Sequence, residues 1–300
     1  MPLNQTFVAA GLALAASAVL SFIDNFVAAV SHEAGLWQFQ VFRTLFAVPL
    51  LLVAARVSGR AIRPVNISLL AGRSLAVSIG LLIYFGALGT LPVSQAGAGL
   101  FSAPLWVAVL TVVLFRRKIG GLGAFAVLLG FAGALMLLQP DLGNLTMLSL
   151  MPLLAGLFYG LGMMLTRHWC TQESAITLSL GIFVTIGVAA IIMLGVVTLW
   201  PGDTFISAPW TAPSARFLWL TAFQAVGAVC AVTLIAQAYR IGNPTMVAVF
   251  EYSFLIFASL WSFLLWGTAT NALAWAGIAV ILCSGILMAV SQKDTENSTA

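Results

Sequence analysis

Charged residues are scarce in this chain. Of its 300 residues, 12 are Lys or Arg and 8 are Asp or Glu, which makes 7% charged against 62% hydrophobic. A soluble domain averages about 25% charged residues, and so few charges cannot cover a surface that faces water. The composition therefore excludes a water-soluble globular protein and predicts an integral membrane protein whose surface faces lipid.

Cysteine and histidine are also rare. Cys170, Cys230 and Cys283 lie far apart, no CxxC pair occurs, and both histidines, His32 and His168, lie at the ends of apolar runs. These spacings predict neither a metal site nor a cofactor. The chain also lacks a GxxxxGK[ST] nucleotide-binding loop and a Ser/His/Asp set at one depth, so we expect no ATPase and no enzyme. Basic residues in membrane proteins set topology, so the net charge of +4 does not predict a nucleic-acid partner.

Long apolar runs dominate what is present. A transmembrane helix needs about 20 mostly apolar residues, whereas a spanning strand is only about 9–11 residues of alternating pattern. Turn residues and charges divide the chain into ten helical runs, numbered here as spans 1 to 10: 6–31, 36–56, 67–90, 93–115, 120–139, 147–168, 174–200, 215–239, 243–266 and 271–291. The sequence predicts an all-α polytopic membrane protein.

The loop charges predict the orientation of these spans. Basic residues cluster in the even-numbered loops and the tail: Arg56, Arg60, Arg63, Arg116, Arg117, Lys118, Arg167, Arg240 and Lys293. Acidic residues occupy the odd-numbered loops, with Arg216 as a basic exception: Glu33, Asp141 and Asp203. Because positively charged loops stay in the cytoplasm, we expect both termini to be cytoplasmic.

The two halves of the chain resemble each other. The segment ALGTLPVSQAGAGLFSAPLWVAVL (87–110) matches AYRIGNPTMVAVFEYSFLIFASLW (238–261) at an offset of 151, and the following spans also correspond. We therefore predict two five-helix repeats, 1–143 and 144–300. Because five is odd, the second repeat is inverted in the membrane. Secondary transporters use inverted repeats to present a midplane site to either side in turn.

The segments VFRTLFAVPL and YFGALGTLPVSQAGAGLFSAPLWVAVLTVVLF, with GFAGALMLL and LCSGILM at the repeat ends, resemble the drug/metabolite transporter superfamily of EamA type. Within it, the chain is most similar to the YddG-type exporters of aromatic and other amino acids. The resemblance implies ten helices around a central cavity lined by spans 1, 3, 4, 6, 8 and 9. It also implies export of a small metabolite without ATP, in a bacterial cytoplasmic membrane. We expect a monomer whose partners are its solute and the bilayer.

Asp24 is the only charge between residues 6 and 31. A charge near the bilayer centre is unfavourable by at least about 2.5–3.5 kcal/mol, so it usually faces a partner or a cavity. Arg43 on span 2 lies at a similar depth, which predicts either an Asp24–Arg43 ion pair or contact of Asp24 with a solute ammonium or a proton. Ser17 and Ser21 share its helical stripe, which suits close packing or a wet wall.

Span 4 carries a polar face. Gln95, Gly99, Ser102 and Trp106 recur at helical spacing. A glycine that exposes backbone, next to an aromatic ring, is typical of a solute groove; small-residue helix packing is the alternative. Pro104 lies within the span and is expected to kink it.

Glu251 and Tyr252 lie deep in span 9. Either Glu251 couples transport to a proton or binds an amino group, or it is a neutral acid bonded to Tyr239, Thr233 or a backbone carbonyl. Tyr252 is a further candidate for solute binding.

Tyr84 on span 3 and Tyr159 on span 6 are the other phenols in mid-span, and we expect both to line the cavity. The sequence as a whole favours a transporter that exports amino acids by alternating access. A channel-like facilitator remains an alternative, as does an exporter of nucleosides, sugars or cationic drugs.

Overall fold

The computed structural model describes residues 3–59, 62–88, 97, 99–116, 119–140, 151–267 and 271–297. Within these ranges the chain forms helices and turns and no strand. The described helices are α1 Leu3–Asp24, α2 Val27–Ser31, α3 Leu36–Val57, α4 Ile67–Leu88, α5 Ala103–Val113, α6 Gly121–Leu138, α7 Met151–Trp169, α8 Ala175–Leu199, α9 Ala215–Ile241, α10 Pro244–Glu251, α11 Ser253–Trp266 and α12 Ala272–Asn297. Span 1 comprises α1 and α2, span 9 comprises α10 and α11, and each other span contains one of the remaining helices.

Eight segments of the described chain are long and apolar enough to cross a bilayer: Gln5–Ser31, Leu36–Val57, Ile67–Ala87, Gly121–Leu138, Ala175–Leu199, Ala215–Ile241, Pro244–Leu265 and Ala272–Ser291. The two other predicted spans correspond to α5, which has 11 residues, and α7, which has 19. Arg167 and His168 lie in the last turn of α7, and much of that helix is buried inside the bundle. The predicted class, an all-α polytopic membrane protein, is confirmed.

Three spans that the sequence predicts as continuous helices are broken. A turn at Asn25 and Phe26 interrupts the helix of span 1, and a turn just before α5 interrupts span 4. In span 9 the helix is interrupted by a turn at Tyr252. At each of the three breaks a backbone N–H donates to the carbonyl three residues earlier: Phe26 N to Ile23 O, Ser102 N to Gly99 O and Tyr252 N to Val249 O. Such short 3₁₀ stretches inside a helix often mark hinges.

Pro104 does not kink the middle of a helix, contrary to the expectation from sequence. It lies in the first turn of α5, where its missing N–H would have no helical partner in any case. The change of direction occurs one turn earlier, where the hydroxyl of Ser102 donates to the carbonyl of Gly99 at 2.6 Å. This bond competes with the helical backbone pattern.

The tight junction between α9 and α10 follows from its sequence. The side chain of Asn243 accepts hydrogen bonds from the N–H groups of Thr245 and Met246, and Pro244 occupies the first turn of α10. An Asn cap followed by proline is a strong helix start. Pro244 therefore begins α10.

The helix contacts follow a paired pattern. The contact of α4 with α7 corresponds to that of α1 with α9. The contact of α5 with α7 corresponds to those of α10 and α11 with α1. The contact of α4 with α8 corresponds to that of α9 with α3. The remaining large contacts join α3 to α8 and α6 to α12. Each of these contacts is matched by its counterpart when spans 1 to 5 are exchanged for spans 6 to 10, whereas the contact of α8 with α9 has no counterpart of similar size between α3 and α4 among the described residues.

Glycines allow α4 and α7 to approach closely. A Cβ added at Gly80 would lie 2.7 Å from the backbone nitrogen of Tyr159 and 2.8 Å from the carbonyl oxygen of Ala155. A Cβ at Gly162 would likewise meet the backbone nitrogen of Val77, at 2.8 Å. Small residues at such positions let helices pack backbone to backbone in a membrane. This contact fixes the position of Tyr159 in the bundle.

Candidate functional site

A cavity of about 110 Å³ lies in the middle of the bundle. Its wall comes from spans 1, 3, 4, 6, 8 and 9, the set that the family resemblance implies, with one residue each from spans 2 and 7. The lining residues are Ala16, Ser17, Leu20, Asp24, Arg43, Val77, Leu81, Tyr84, Phe85, Leu100, Phe101, Ala103, Pro104, Tyr159, Met163, Ile182, Val232, Ile235, Glu251 and Phe254. Ligand pockets usually measure about 300–1,000 Å³, so the cavity is contracted in this conformation.

Two carboxyl groups and one guanidinium group border this cavity, those of Asp24, Glu251 and Arg43. Asp24 is the last residue of α1 and Glu251 is the last residue of α10, so each carboxylate sits where a span breaks. The C-terminal end of a helix carries partial negative charge and does not stabilise a carboxylate. Helix stability therefore does not explain these two positions.

Arg43 enters the cavity from α3 through an aromatic cage. Its guanidinium carbon lies 5.9, 5.6 and 5.7 Å from the ring centroids of Phe39, Phe85 and Phe183. One terminal nitrogen donates to Gln40 Oε1 at 3.4 Å, and the Nε–H has no hydrogen-bond partner in the described structure. Cation–π contacts attract the charge but leave donors free for an anionic group.

Asp24 and Arg43 do not form the direct ion pair that the sequence suggested as one possibility. Among the described residues, no carboxylate oxygen lies within 4.0 Å of an Arg43 nitrogen. Asp24 instead accepts a long bond of 3.5 Å from Gln224 Nε2 on α9. The aromatic cage holds Arg43 and the break after α1 ends the helix at Asp24, so the two charges face one cavity without touching.

At the other side of the cavity, Glu251 is held by two tyrosines. Tyr159 on α7 donates to its Oε1 at 2.6 Å, and Tyr239 on α9 donates to its Oε2. One of the predicted alternatives, a bond between Glu251 and Tyr239, is therefore present. Both carboxyl oxygens have a donor, and the group still borders the cavity. This arrangement links two helices to the break in span 9.

Of the remaining predicted site residues, Tyr84 lines the cavity, but three residues that were predicted on span 4 do not. A Cβ on Gly99 would overlap Pro152 of α7, Ser102 is buried against Gly156, and Trp106 lies beside Gly160. The small residues on this face pack against α7, which is the alternative that the sequence left open for span 4.

Of the two further predicted residues, Tyr252 does not line the cavity. Gln95 lies outside the described residues. Tyr252 is fully buried, with its ring beside Gly130 of α6. Among the described residues, its hydroxyl has no hydrogen-bond partner. Its side chain packs against α6, whereas that of Glu251, its neighbour, borders the cavity.

Sequence reasoning missed Arg73 and the cavity phenylalanines. Arg73 on α4 is fully buried and donates to Thr166 Oγ1 at 2.6 Å and to the carbonyl of Leu178 at 3.0 Å, which ties three helices together. The sequence feature that could have identified Arg73 is that it is a lone charge six residues into span 3. Phe101 and Phe254 line the cavity, but a phenylalanine in an apolar run has no signal that separates a cavity wall from a lipid-facing surface.

Known proteins similar to this chain are membrane transporters. The riboflavin transporter of Vibrio cholerae is 26% identical over 223 residues, which covers 73% of this chain and 70% of that protein. The riboflavin transporter of Rhizobium johnstonii is 23% identical over 98% of this chain and 92% of that protein. The pseudopaline exporter of Pseudomonas aeruginosa is 21% identical over 94% and 96%.

No protein-family model matches the chain. A solved structure superposes with a TM-score of 0.79 at 13% identity, covering 97% of this chain and 99% of that one. At this identity the likeness shows the fold alone. The named relatives support a membrane transporter of small molecules rather than an enzyme, while leaving the solute open.

Proposed function

We propose that this protein is a membrane transporter that exports small zwitterionic metabolites, above all amino acids with apolar or aromatic side chains. The observation that carries the proposal is the pair of opposite charges, Asp24 and Arg43, that face one cavity without touching. A charge in a membrane protein's interior is unfavourable unless it has a partner. An α-amino acid supplies both partners, its carboxylate to Arg43 and its ammonium to Asp24.

The rest of the cavity suits the side chain of such a solute. Leu81, Phe101, Met163 and Phe254 provide apolar surface, and Tyr84 and Tyr159 add rings with polar tips. Glu251 offers a second carboxylate that either contacts an amino group or carries a proton. This chemistry selects for a molecule with one charged end and one apolar end.

Alternating access between two inverted repeats is the mechanism we propose. The paired helix contacts and the broken spans beside the cavity support it, because transporters of this type bind solute at discontinuous helices between their repeats. We further propose a monomer in a bacterial cytoplasmic membrane; the charge pattern of the loops supports cytoplasmic termini.

A planar heteroaromatic metabolite is the second candidate solute. It is favoured by the relatives named as riboflavin transporters and by the rings that line the cavity. Such a solute would stack on the aromatic wall and need not engage both charges. The response of transport to changes at Arg43 separates the two candidates.

The test is a transport screen with purified protein in liposomes. The solutes are L-tryptophan, L-leucine, riboflavin, a nucleoside, a sugar and a cationic drug, side by side. Saturable movement of amino acids supports the proposal, and movement that does not saturate indicates a channel-like facilitator. Transport of another solute class with no movement of any amino acid would remove the amino-acid assignment.

Arg43→Gln sharpens this screen. Loss of a charge-assisted hydrogen bond weakens binding by about 1.5–3 kcal/mol, which is roughly 10- to 150-fold, so KM for amino acids should rise by that factor. Riboflavin transport should change little. Arg216→Gln is the matched control, because Arg216 is an exposed arginine paired with Glu33 away from the cavity. Equal effects of the two substitutions would contradict the assignment of Arg43.

A further inference from the structure

A second pocket, of about 340 Å³, lies where α4 and α6 end and α12 begins. We call it the outer pocket, because the expected topology places this end outside the cell. Gln139 and Asn271, both exposed, stand at its rim and exchange two amide hydrogen bonds of 3.0 and 3.1 Å. Ser259 and Ser262 add hydroxyl groups to its wall. The pocket is therefore polar and open at its rim.

Three aromatic side chains line both the outer pocket and the central cavity: Tyr84, Phe101 and Phe254. The rings of Phe101 and Phe254 are in contact, with centroids 5.2 Å apart and planes at 39°. Among the described residues, these three side chains are the ones that border both spaces. The inner face of the outer pocket is thus made of rings, while its rim carries amides.

The two rings also lie at the breaks in their spans. Phe101 is in the turn that precedes α5, and Phe254 follows Tyr252, where span 9 tightens. Around these points backbone N–H groups donate hydrogen bonds to the carbonyl three residues earlier, from Ser102 N to Gly99 O and from Leu255 N to Tyr252 O. Breaks of this kind let one half of a helix move relative to the other. Movement at either break would separate the two rings.

We propose that Phe101 and Phe254 form the barrier that solute crosses between the central cavity and the outer pocket, and that the outer pocket is a second binding position on the same route. This inference rests on the proposed transport function. The solute is the same zwitterionic metabolite: its apolar end contacts the rings of the barrier, and its charged end is solvated by the amides and hydroxyls of the rim. The outer pocket has room for a molecule that the contracted central cavity has just released.

Cysteine labelling tests the barrier without any solute. The background carries Cys170→Ala, Cys230→Ala and Cys283→Ala, and the reporters are Ser17→Cys in the central cavity and Ser259→Cys in the outer pocket. Purified protein in detergent is treated with a water-soluble cationic thiol reagent. We expect fast labelling at position 259 and slow labelling at position 17.

Removing one ring should open the route. Phe254→Ala should raise the labelling rate at position 17 by about tenfold or more, since loss of an aromatic contact and of the ring's volume shifts an opening equilibrium by that order. Phe101→Leu is the second variant in case Phe254→Ala does not fold, and unchanged labelling at position 259 confirms the fold. Phe223→Ala is the control: Phe223 packs against Phe22 and Phe26, with centroids 6.1 and 5.3 Å away, and borders neither space.

The outcomes separate this inference from the proposed function. An unchanged rate at position 17 in both barrier variants, or an equal rise with Phe223→Ala, would overturn the barrier. L-Tryptophan should slow labelling at both reporters; protection at position 17 alone would remove the outer pocket as a binding position and leave the transport proposal intact. An opened barrier in a protein that moves no amino acid would refute the substrate instead.

Discussion

Gly80→Ala tests the contact between α4 and α7 that positions Tyr159. A new Cβ at this position would lie 2.7 Å from Tyr159 N, 2.8 Å from Ala155 O and 3.1 Å from Tyr159 Cα. All three are backbone atoms, so no side-chain rotation can relieve the overlap. The two helices must move apart, and Tyr159 must move with α7.

Gly195 supplies the comparison that isolates this contact. It lies on the exposed face of α8, and a Cβ there would meet nothing within 4 Å. Alanine is favoured over glycine in a helix interior by about 1 kcal/mol, and this contribution is the same at both positions. Overpacking of a tight contact destabilises by about 1–3 kcal/mol. Gly80→Ala should therefore be less stable than Gly195→Ala by about that amount.

Thermal unfolding of the two purified variants in one detergent measures this difference. A change of 1 kcal/mol shifts Tm by about 2–4 °C in a chain of 150–250 residues, so we expect Gly80→Ala to melt several degrees below Gly195→Ala. Transport by Gly80→Ala should also fall, because Tyr159 would no longer align with Glu251. Equal melting temperatures and equal transport would refute the reasoning that backbone contact at Gly80 sets the geometry of the site.

The remaining predictions concern single side chains. Asp24→Asn should raise KM for amino acids by roughly 10- to 150-fold and leave uncharged solutes unaffected, as measured in liposomes; an equal loss for both classes would assign Asp24 to structure. Glu251→Gln should abolish any dependence of transport on an imposed pH gradient if Glu251 carries the proton, whereas unchanged transport would leave it a structural bond to Tyr159. Gln139→Ala should lower stability by about 0.5–1.5 kcal/mol through loss of its bonds to Asn271, read as a small fall in Tm. Burial raises the pKa of the Cys170 thiol above its ordinary value, so Cys170 should alkylate more slowly at pH 8 than an exposed cysteine; rapid alkylation in the folded protein would show that the site opens.

The position of each membrane helix could be predicted from the sequence, because it depends on local hydropathy. A run of apolar residues must be helical in lipid, where every backbone polar group needs an internal partner. The described helices lie where the spans were predicted, although spans 1, 4 and 9 are broken, and the start of α10 at Pro244 follows from the Asn cap and proline alone. Asp24, Arg43, Tyr84, Tyr159 and Glu251 were selected for the same local reason, as polar groups in apolar runs, and all five line the cavity.

Side-chain direction could not be predicted in this way. Gly99, Ser102 and Trp106 share a helical face, and only the packing of α5 on α7 decides that this face meets a helix rather than a solute. Tyr252 and Glu251 are neighbours, yet one points at α6 and the other at the cavity. The two-repeat organisation stays a prediction that the paired contacts support.

The sequence by itself determined that the chain is an all-helical membrane protein with a few ionisable groups in its interior, because composition and hydropathy act residue by residue. Only the tertiary structure decided that Asp24 and Arg43 stay apart, that Glu251 sits between two phenols, and that Phe101 and Phe254 meet. These facts depend on breaks in three spans and on contacts between residues as much as 200 positions apart. Such contacts arise from packing, which has no local signature in an apolar run.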